Sequence, residues 1–388
     1  MSASFVLFGG TGYVGGLILA ELLRSTSLHI ILPLRERHDP LEALERIWHS
    51  FREAGDCVDS TYPGRVHPFT FAPGNHVIRL PARLRKYSVK AVINAAGSVH
   101  YFAEAELNEG NLDLTRRTLE FAKDLGTPDF VYVSSAFSAG YQADKIHEVL
   151  YDEPDTDPTY YTKTKRGAER MVATSGLPYI ILRPSVLIGD SRTGIYTGKP
   201  YGMYQFLKSF TYFLTDRYYP EIHVVAPEYP FHLLHEDAFA ALFVRILDDL
   251  SPNRIVNMVA PEAGLPTSRD LYAHFFTNVT HPEKAFFYHR IDDVPLADLP
   301  RRQRTFLHMT RVNAQITGHR WSFERDTVAE LETTAGRVCP TTLASTEKCV
   351  NRYIQDSAKC ARYRSRYQAD FPSHSVFVSV PAALLRSE

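Results

Sequence analysis

Tyrosine and lysine stand four residues apart at three places in this chain, and such a pair can carry acid–base chemistry. The pairs are Tyr141/Lys145, Tyr161/Lys165 and Tyr204/Lys208. On a helix, residues four apart lie on one face. An ammonium there is expected to lower the pKa of the phenol by stabilising the phenolate, which would make the tyrosine a proton donor near neutral pH.

The surroundings of the three pairs separate them. Tyr141 directly follows VYVSSAFSAG, where a loop is expected, and Tyr204 lies in a later aromatic-rich segment. Tyr161 begins the helical pattern YYTKTKRGAERMVATSG, which is followed by the apolar run YIILRPS. Only Tyr161 and Lys165 are therefore predicted to reach the strand ends where a cofactor would bind.

A serine is the third group expected at this site. Ser134 and Ser135 end the apolar run FVYVSS, so one of them is predicted to donate a hydrogen bond to a reacting carbonyl. A helix cap or a turn is the alternative role of such a serine.

Glycines cluster near the start of the chain, in the segment FGGTGYVGG at residues 8–16. A strand-like run precedes the segment and the helical pattern GGLILAELL continues from it. Gly9, Gly12 and Gly15 are spaced GxxGxxG, and a glycine turn before a helix presents free N–H groups to an anion. The segment predicts a pyrophosphate site, with an ordinary strand–helix turn as the alternative.

Charged residues follow the second apolar run, in IILPLRERHD. Arg35 and Arg37 flank Glu36 at the place where a dinucleotide-binding fold recognises the ribose of the cofactor. A guanidinium matches a phosphate with two hydrogen bonds, so the arginines favour the 2′-phosphate of NADP. Glu36 leaves NAD open, and a solvated charged loop is the remaining alternative.

Apolar runs of strand length alternate with helical patterns over residues 3–183. Such alternation predicts an α/β fold, a doubly wound parallel sheet of the Rossmann type with helices on both faces. The predicted helices lie near residues 13–25, 40–54, 103–125 and 158–175. The predicted strands are Phe5–Phe8, His29–Leu34, Arg65–Phe71, Lys90–Asn94, Phe130–Ser134 and Tyr179–Leu182.

The amino-acid composition changes after about residue 187. Residues 196–233 are rich in Tyr, Phe and Pro, which is typical both of an apolar ligand pocket and of the core of a second lobe. The predicted NADP-binding domain comprises residues 1–186 and 225–260. A smaller, mostly helical substrate-binding lobe is assigned residues 187–224 and 261–388.

Charge and composition limit the classes of function. The chain of 388 residues has a formal net charge of −1, which argues against a general attraction to nucleic acid. No apolar run is long enough to predict a membrane-spanning helix. The four cysteines form no CxxC pair, so neither a metal site nor a disulfide is expected and a cytoplasmic location is predicted. The oligomeric state is left open.

Taken in order, the motifs resemble those of the extended short-chain dehydrogenase/reductase superfamily over roughly residues 3–260. The shared features are the glycine segment, NAAG at 94–97, Asn111, SSAFSAG, the Tyr161/Lys165 pair and LRPS at 182–185. LPLRER, AAGSVHYF, VSSAFSAG and RPSVLIGDSRTG further resemble the thioester-reductase branch, which includes fatty acyl-CoA reductases and the reductase domains of carboxylic acid reductases.

The resemblance implies an enzyme that uses NADPH to reduce an acyl thioester to an aldehyde, and in some members to an alcohol. The acyl donor would be acyl-CoA or a separate carrier protein. By the resemblance, Ser135, Tyr161 and Lys165 form the catalytic triad. The cofactor-binding residues implied by it are Gly9, Thr11, Gly12, Tyr13, Val14, Gly15, Arg35, Arg37, Asn75, Ala95, Ala96, Gly97, Asn111, Lys165, Pro184 and Ser185.

The chain departs from the family pattern at three points. Phe8 precedes the glycines where Thr or Ser is usual, Asn75 replaces an Asp, and LDLT follows Asn111 in place of VxGT. These departures indicate a divergent member.

Other enzymes would share the same motifs. A ketone, aldehyde or hydroxysteroid reductase would use the same catalytic residues and is the main alternative. A nucleotide-sugar epimerase or dehydratase with bound NAD is a further one, and a binding protein without turnover is disfavoured by the intact triad.

Overall fold

The computed structural model describes residues 2–381, except residues 37–38, 54, 56–58, 73, 75, 102, 127, 143–144, 155, 250 and 336–338. Two of the predicted cofactor-binding residues, Arg37 and Asn75, lie outside the described residues. The strands are β1 Ser2–Phe8, β2 His29–Arg35, β3 Val66–Phe71, β4 Tyr87–Asn94, β5 Asp129–Val133, β6 Tyr179–Pro184, β7 Val186–Ile188, β8 Glu221–Val225, β9 Leu233–His235, β10 Arg254–Met258, β11 Lys284–Tyr288 and β12 Val376–Val380. The helices are α1 Tyr13–Ser25, α2 Pro40–Glu53, α3 Tyr62–Arg65, α4 Glu104–Leu107, α5 Leu114–Asp124, α6 Tyr160–Ala173, α7 Met203–Phe213, α8 Glu236–Asp249, α9 Ser268–Phe275, α10 Arg301–Thr317, α11 Asp326–Ala335, α12 Leu343–Asp356 and α13 Ala358–Tyr367.

A parallel sheet of seven strands, counted over the described residues, organises the first part of the chain. Its order is β10-β6-β5-β4-β1-β2-β3, and every neighbouring pair is parallel. The order reverses between β1 and β4, which is the switch point where a doubly wound sheet binds ligands. The predicted α/β Rossmann fold is confirmed.

The strands of this sheet form because their residues are apolar on both faces. The segment FVLF of β1 is buried throughout, and a near-continuous apolar run is what a parallel sheet covered by helices requires. All six predicted strands are present, with ends that differ by a few residues. The seventh strand, β10, was not predicted.

The helical stretch predicted near residues 103–125 is interrupted. Between α4 and α5, residues Asn108–Asp113 form a π-helical segment. A π segment adds a residue to a helical turn and redirects the side chains after it, and such segments are frequent at functional sites. Here it contains Asn111, one of the predicted site residues.

The chain divides into two compact units. Unit 1 contains residues 1–185, 236–259 and 323–338, and unit 2 contains residues 186–235, 260–322 and 339–388. The predicted boundaries differ from these units by one residue at 186 and at 260, and by whole segments at two places. Residues 225–235 belong to unit 2, whereas residues 323–338 belong to unit 1 because α11 packs on α8 and β10.

Unit 2 is built on a sheet of its own. In the described residues this sheet has three parallel strands in the order β12-β11-β8, so the lobe predicted to be mostly helical also contains β-structure. Many of the aromatic residues between 196 and 233 form its core. Phe210, for example, is 1% exposed and packs on Phe275, Phe276 and Phe306.

Among the described residues, none of the helices has both the length and the apolar character that crossing a bilayer requires.

Candidate active site

The glycine turn lies at the carboxyl end of β1, beside the switch point of the sheet. Gly9 has φ +84°, and a Cβ on it would stand 2.6 Å from the backbone nitrogen of Ala96. A Cβ on Gly15 would stand 2.1 Å from the carbonyl oxygen of Gly9. The turn therefore packs so tightly, on the loop after β4 and on α1, that only glycine fits at these two positions.

The first turn of α1 has no capping side chain. Gly12 occupies the N-cap position of this 13-residue helix and offers no side-chain oxygen, and the first turn contains no acidic residue. Thr11 and Gly12 are exposed, and the backbone of Tyr13, Val14 and Gly15 forms the start of the helix. A helix start without a capping side chain or an acidic residue is suited to an anion such as a pyrophosphate.

The side chain of Tyr13 forms a hydrogen bond within unit 1. Its hydroxyl donates to the Oε2 atom of Glu236 at 2.6 Å, and Glu236 is the first residue of α8. This bond connects the start of α1 to the start of α8.

The loop after β4 faces the glycine turn. Ala95 donates its N–H to the carbonyl of Phe8, and Ala96 donates its N–H to the side chain of Asn94. Gly97 is exposed, and a Cβ on it would stand 2.8 Å from Oδ1 of Asn111 and 3.3 Å from Nζ of Lys165. The loop thus brings backbone close to the catalytic lysine of the predicted triad.

Asn111 orders this loop from the π-helical segment. Its Oδ1 accepts the N–H of Ser98 at 2.9 Å, and its Nδ2 donates to the carbonyl of Ser98 and to Thr164 Oγ1. The side chain is completely buried. It joins the loop after β4 to α6, which carries the tyrosine–lysine pair.

Arg35 ends β2 and lines a small pocket together with Phe71, Gly74 and Arg117. Arg117 stacks its guanidinium on Phe71 at 5.4 Å and donates to the carbonyl oxygens of Ala72 and His76. Burial lowers the pKa of Arg117, Glu109 and Glu120 act to raise it, and the charge of Arg35 acts to lower it. Arg35 and Arg117 thus line one pocket, which Glu109 and Asp113 also line, at the place where the sequence predicts a phosphate.

The structure brings Ser135, Tyr161 and Lys165 together at the carboxyl end of β5. Ser134 and Ser138, on either side of Ser135, both donate to the buried carboxylate of Glu169, at 2.5 and 2.6 Å. Ser135 Oγ accepts the N–H of Phe137 at 3.4 Å, so it also caps the short 3-10 turn that follows. Of the two candidate serines, Ser135 is thus the one free of the Glu169 carboxylate.

The pKa of Tyr161 differs from the sequence-based expectation. Burial raises the pKa of its phenol above the ordinary value, and Tyr101, whose ring meets Tyr161 edge-on at 5.7 Å, acts in the same direction. A hydrogen bond with Ser135 lowers it, but by less. The expected lowering of this pKa is therefore wrong for this structure: burial raises it, and the tyrosine is a phenol that keeps its proton at neutral pH.

Lys165 lies behind Tyr161 with its ammonium enclosed. Its Nζ donates to the carbonyl of Val133 at 2.9 Å and stands 5.9 Å from the ring centre of Tyr161 and 5.0 Å from that of Tyr132. Burial lowers the pKa of Lys165 to about 8, while the carboxylate of Glu169 acts to raise it. The charge of the lysine therefore changes near neutral pH.

The other two tyrosine–lysine pairs lie in different surroundings. Tyr204 is on α7 in unit 2, where it accepts the N–H of Gly189 and stacks on Tyr196 at 3.8 Å, while Lys208 is exposed. Tyr141 follows the 3-10 turn and is not part of a helix. Tyr204 and Lys208 belong to unit 2, and Tyr141 and Lys145 lie outside the helices.

The carboxyl end of β6 lies at the same edge of the main sheet as that of β5. Pro184 ends the strand, and Ser185 follows it with its N–H bound to the carbonyl of Met258. The hydroxyl of Ser185 is buried and has no hydrogen-bond partner among the described residues. A buried orphan hydroxyl, the uncapped start of α1 and the arginine pair are the donors that a dinucleotide phosphate would need, so the residues present fit an NAD-type cofactor.

Three residues were missed by the sequence interpretation. Glu169 follows Lys165 at the spacing that relates Lys165 to Tyr161, so its place on the same helix face was readable. Tyr101 and Arg117 reach the site through the loop after β4 and through α5, and no spacing in the sequence signalled either of them.

Comparison with known proteins gives a family and a fold. The NAD-binding family described as male sterility protein matches residues 7–234. Glycine betaine reductase ATRR of Emericella nidulans is 27% identical over 208 residues, which are 49% of this chain and 16% of that protein. This chain therefore spans about a sixth of the length of that relative.

Two solved structures share the fold at low identity. The terminal R domain of the myxalamid PKS-NRPS pathway superposes with a TM-score of 0.69 at 19% identity, over 91% of both chains. A thiolation-reductase di-domain from an archaeal non-ribosomal peptide synthetase has a TM-score of 0.64 at 18% identity, over 95% of this chain and 76% of that one.

Proposed function

This chain is a member of the male sterility protein family, within the extended short-chain dehydrogenase/reductase superfamily, and from that membership we propose that it is an NADPH-dependent reductase of acyl thioesters. The observation that carries the proposal is the convergence of Ser135, Tyr161 and Lys165 at the carboxyl end of β5, on the same edge of the sheet as the glycine turn. NADPH bound along that edge supplies the hydride that reduces the carbonyl carbon of the thioester.

The protein supplies the groups that stabilise charge on the substrate. Ser135 and Tyr161 donate hydrogen bonds to the oxyanion that develops on the carbonyl oxygen, and Tyr161 gives it a proton. The raised pKa of Tyr161 suits this role because the phenol is protonated at neutral pH. The ammonium of Lys165 lies behind the ring and favours the phenolate that remains.

A thioester is proposed as the substrate because of the family and because of the similar solved structures. Collapse of the resulting hemithioacetal breaks the C–S bond and releases a thiol and an aldehyde. The solved relatives are an R domain of a PKS-NRPS pathway and a reductase joined to a thiolation domain, which supports a carrier-bound or CoA-bound acyl donor here. A second reduction of the aldehyde would give an alcohol and consume a second NADPH.

NADPH is proposed over NADH because of Arg35. Arg35 is the last residue of β2, where a 2′-phosphate would lie, and Arg117 lines the same pocket, as do Glu109 and Asp113. We also propose that the remaining predicted residues of the glycine turn and of the loop after β4 bind the cofactor, with unit 2 holding the acyl chain and the enzyme acting in the cytoplasm.

The test is a product analysis. The protein is incubated with NADPH and a panel of acyl-CoAs, acylated carrier proteins, free aldehydes and free ketones, and released thiol, aldehyde and alcohol are quantified. Thiol released in step with NADPH oxidation supports the proposal. Reduction of ketones alongside inert thioesters would contradict it and would identify a ketone reductase, which uses the same catalytic residues.

A further inference from the structure

A buried carboxylate lies one helical turn behind the lysine of the triad. Tyr161, Lys165 and Glu169 follow one another at intervals of four on α6, so they share one face of the helix. Glu169 is completely buried. A carboxylate in such a place is unstable unless it is paired and hydrogen-bonded.

Arg183 of β6 forms an ion pair with this carboxylate. Its Nε donates to Oε1 of Glu169 at 3.0 Å and its Nη2 donates to Oε2 at 2.7 Å, and neither side chain has more than 1% of its surface exposed. Arg183 also donates to the carbonyl oxygens of His147 and Val149. The pair is therefore fixed from both sides, and the position of the carboxylate is determined by the sheet.

The same carboxylate holds the chain on both sides of the reactive serine. Ser134 and Ser138 donate to Oε1 of Glu169, and both hydroxyls are buried. Between them Ser135 begins the 3-10 turn, which is closed by the N–H of Ser138 on the carbonyl of Ser135. The orientation of Ser135 thus depends on a group on α6.

Lys165 forms a hydrogen bond with Val133, the residue just before the Ser134–Ser138 segment. Its Nζ donates to the carbonyl of Val133, next to Ser134. The groups that face the ammonium are Tyr161 and Glu169 on α6, Tyr132 on β5 and the backbone at Gly97. Among them Glu169 carries the negative charge that favours the ammonium.

We propose that Glu169 is a positioning residue for the catalytic triad: its oxygens fix the Ser134–Ser138 segment that presents Ser135, and its charge keeps Lys165 an ammonium. The inference rests on the proposed function, because it assigns Glu169 to the same site. It adds a residue that touches neither substrate nor cofactor. Its two effects can be separated, because one needs the hydroxyls of Ser134 and Ser138 and the other needs the negative charge.

The first experiment measures the charge effect without turnover. In the cofactor-free protein labelled with 15N-lysine, the Nζ resonance of Lys165, assigned through Lys165→Arg, is followed against pH. Glu169→Gln should lower the pKa of Lys165 by about one unit, since an opposite charge has been removed. Asp157→Asn is the matched control. Asp157 also pairs with a mostly buried arginine, Arg166 of α6, but it is not among the causes of the shift in the pKa of Lys165.

The second experiment measures the positioning effect. The double variant Ser134→Ala/Ser138→Ala keeps the charge of Glu169 but removes both hydrogen bonds. It should lower kcat by about tenfold or more while the Lys165 resonance titrates as in the unaltered protein. The alkaline limb of the pH profile should move only in Glu169→Gln, and toward lower pH.

The outcomes separate the proposal from a merely structural role. An unchanged Lys165 titration in Glu169→Gln, or an unchanged kcat in the double serine variant, would overturn it. If Glu169→Gln does not fold, two serine variants decide. The double alanine variant should lower kcat, whereas Ser134→Thr, which keeps a hydroxyl that can donate to Glu169, should retain a higher kcat than the double variant. If thioesters prove inert, kcat is measured with the carbonyl compound that is reduced, and the titration stands without any substrate.

Discussion

At the scale of single residues, Tyr161 stands apart from the other tyrosines of the YxxxK pattern because its hydroxyl is hydrogen-bonded to Ser135. Tyr161→Phe removes only that hydroxyl and should lower kcat by about 10²–10⁴-fold, with NADPH binding nearly preserved. Tyr204→Phe is the matched control, since Tyr204 lies on α7 and accepts the N–H of Gly189. Steady-state kinetics and NADPH titration measure both, and equal inactivation by the two variants would refute the assignment.

The charge of Lys165 predicts the pH dependence of turnover. Burial lowers the pKa of this lysine to about 8, so the ammonium is present below that pH and is lost above it. Because the proposed chemistry needs the ammonium, kcat should fall as pH rises through about 8. The profile is measured between neutral and strongly alkaline pH, and a limb near the ordinary lysine value of 10.5 would contradict the enclosed position of Nζ.

Arg35 tests the choice of cofactor. Arg35→Ala removes the guanidinium at the end of β2 and should raise KM for NADPH by about 10- to 100-fold, the range expected for hydrogen bonds to a charged group. KM for NADH should change little, since NADH has no 2′-phosphate. The exposed Arg52 on α2 offers a control in Arg52→Ala. Equal losses with both cofactors would assign Arg35 to structure.

At the scale of elements, the packing of α1 on the glycine turn gives a test with an internal control. A Cβ on Gly15 would stand 2.1 Å from the carbonyl oxygen of Gly9, whereas a Cβ on Gly16 would meet nothing closer than 4.0 Å. Gly15→Ala should therefore displace the turn and abolish NADPH binding. Gly16→Ala should leave binding intact and stabilise the helix by up to about 1 kcal/mol. Calorimetric titration and thermal unfolding distinguish the two, and NADPH binding retained in Gly15→Ala would contradict the packing.

Local patterns predicted these elements to different extents. The strands of the main sheet were readable because each is apolar on both faces and is flanked by turn residues. The π-helical segment around Asn111 was not readable, since an extra residue in a helical turn leaves the periodicity of a single turn ambiguous. Strand β10 was missed because its five residues, RIVNM, carry too short an apolar signal.

The candidate site, too, was predictable from the sequence only in part. Ser135, Tyr161, Lys165 and the glycines come from sequence motifs, and the structure brings Ser135, Tyr161 and Lys165 together at one strand end. The raised pKa of Tyr161 could not be predicted, because its main cause is burial, which is a property of the packed structure. Tyr101 escaped prediction because tertiary structure alone brings its ring against Tyr161.

At the scale of the whole molecule, a histidine pair makes stability depend on pH. His29 and His67 lie on neighbouring strands of the main sheet with their ring nitrogens 3.0 Å apart. Burial, then the neighbouring His29, Lys86 and Arg83, lower the pKa of His67 from 6.5 to about 4. The unfolded chain therefore binds a proton between these values that the folded protein does not, and stability falls as pH decreases from about 6.5 to about 4.

Substitution of His67 tests this linkage. The free energy of unfolding should decrease less steeply between neutral and acidic pH in His67→Gln than in the unaltered protein. Urea unfolding at a series of pH values measures it, with His49→Gln on the exposed face of α2 as the control. A slope that is the same in all three proteins would show that His67 is protonated without cost.

The order in which the chain visits its two units has a consequence for synthesis on the ribosome. Unit 1 receives β6 by residue 184, but β10, which pairs with the free edge of β6, ends only at residue 258. At about 5–20 residues per second, the intervening segment takes several seconds to translate. During that interval a nascent sheet that already contains β6 would have an unpaired apolar edge, which is a surface prone to aggregation. We expect protection of that edge, until α8 and β10 have left the exit tunnel, to raise the yield of folded protein.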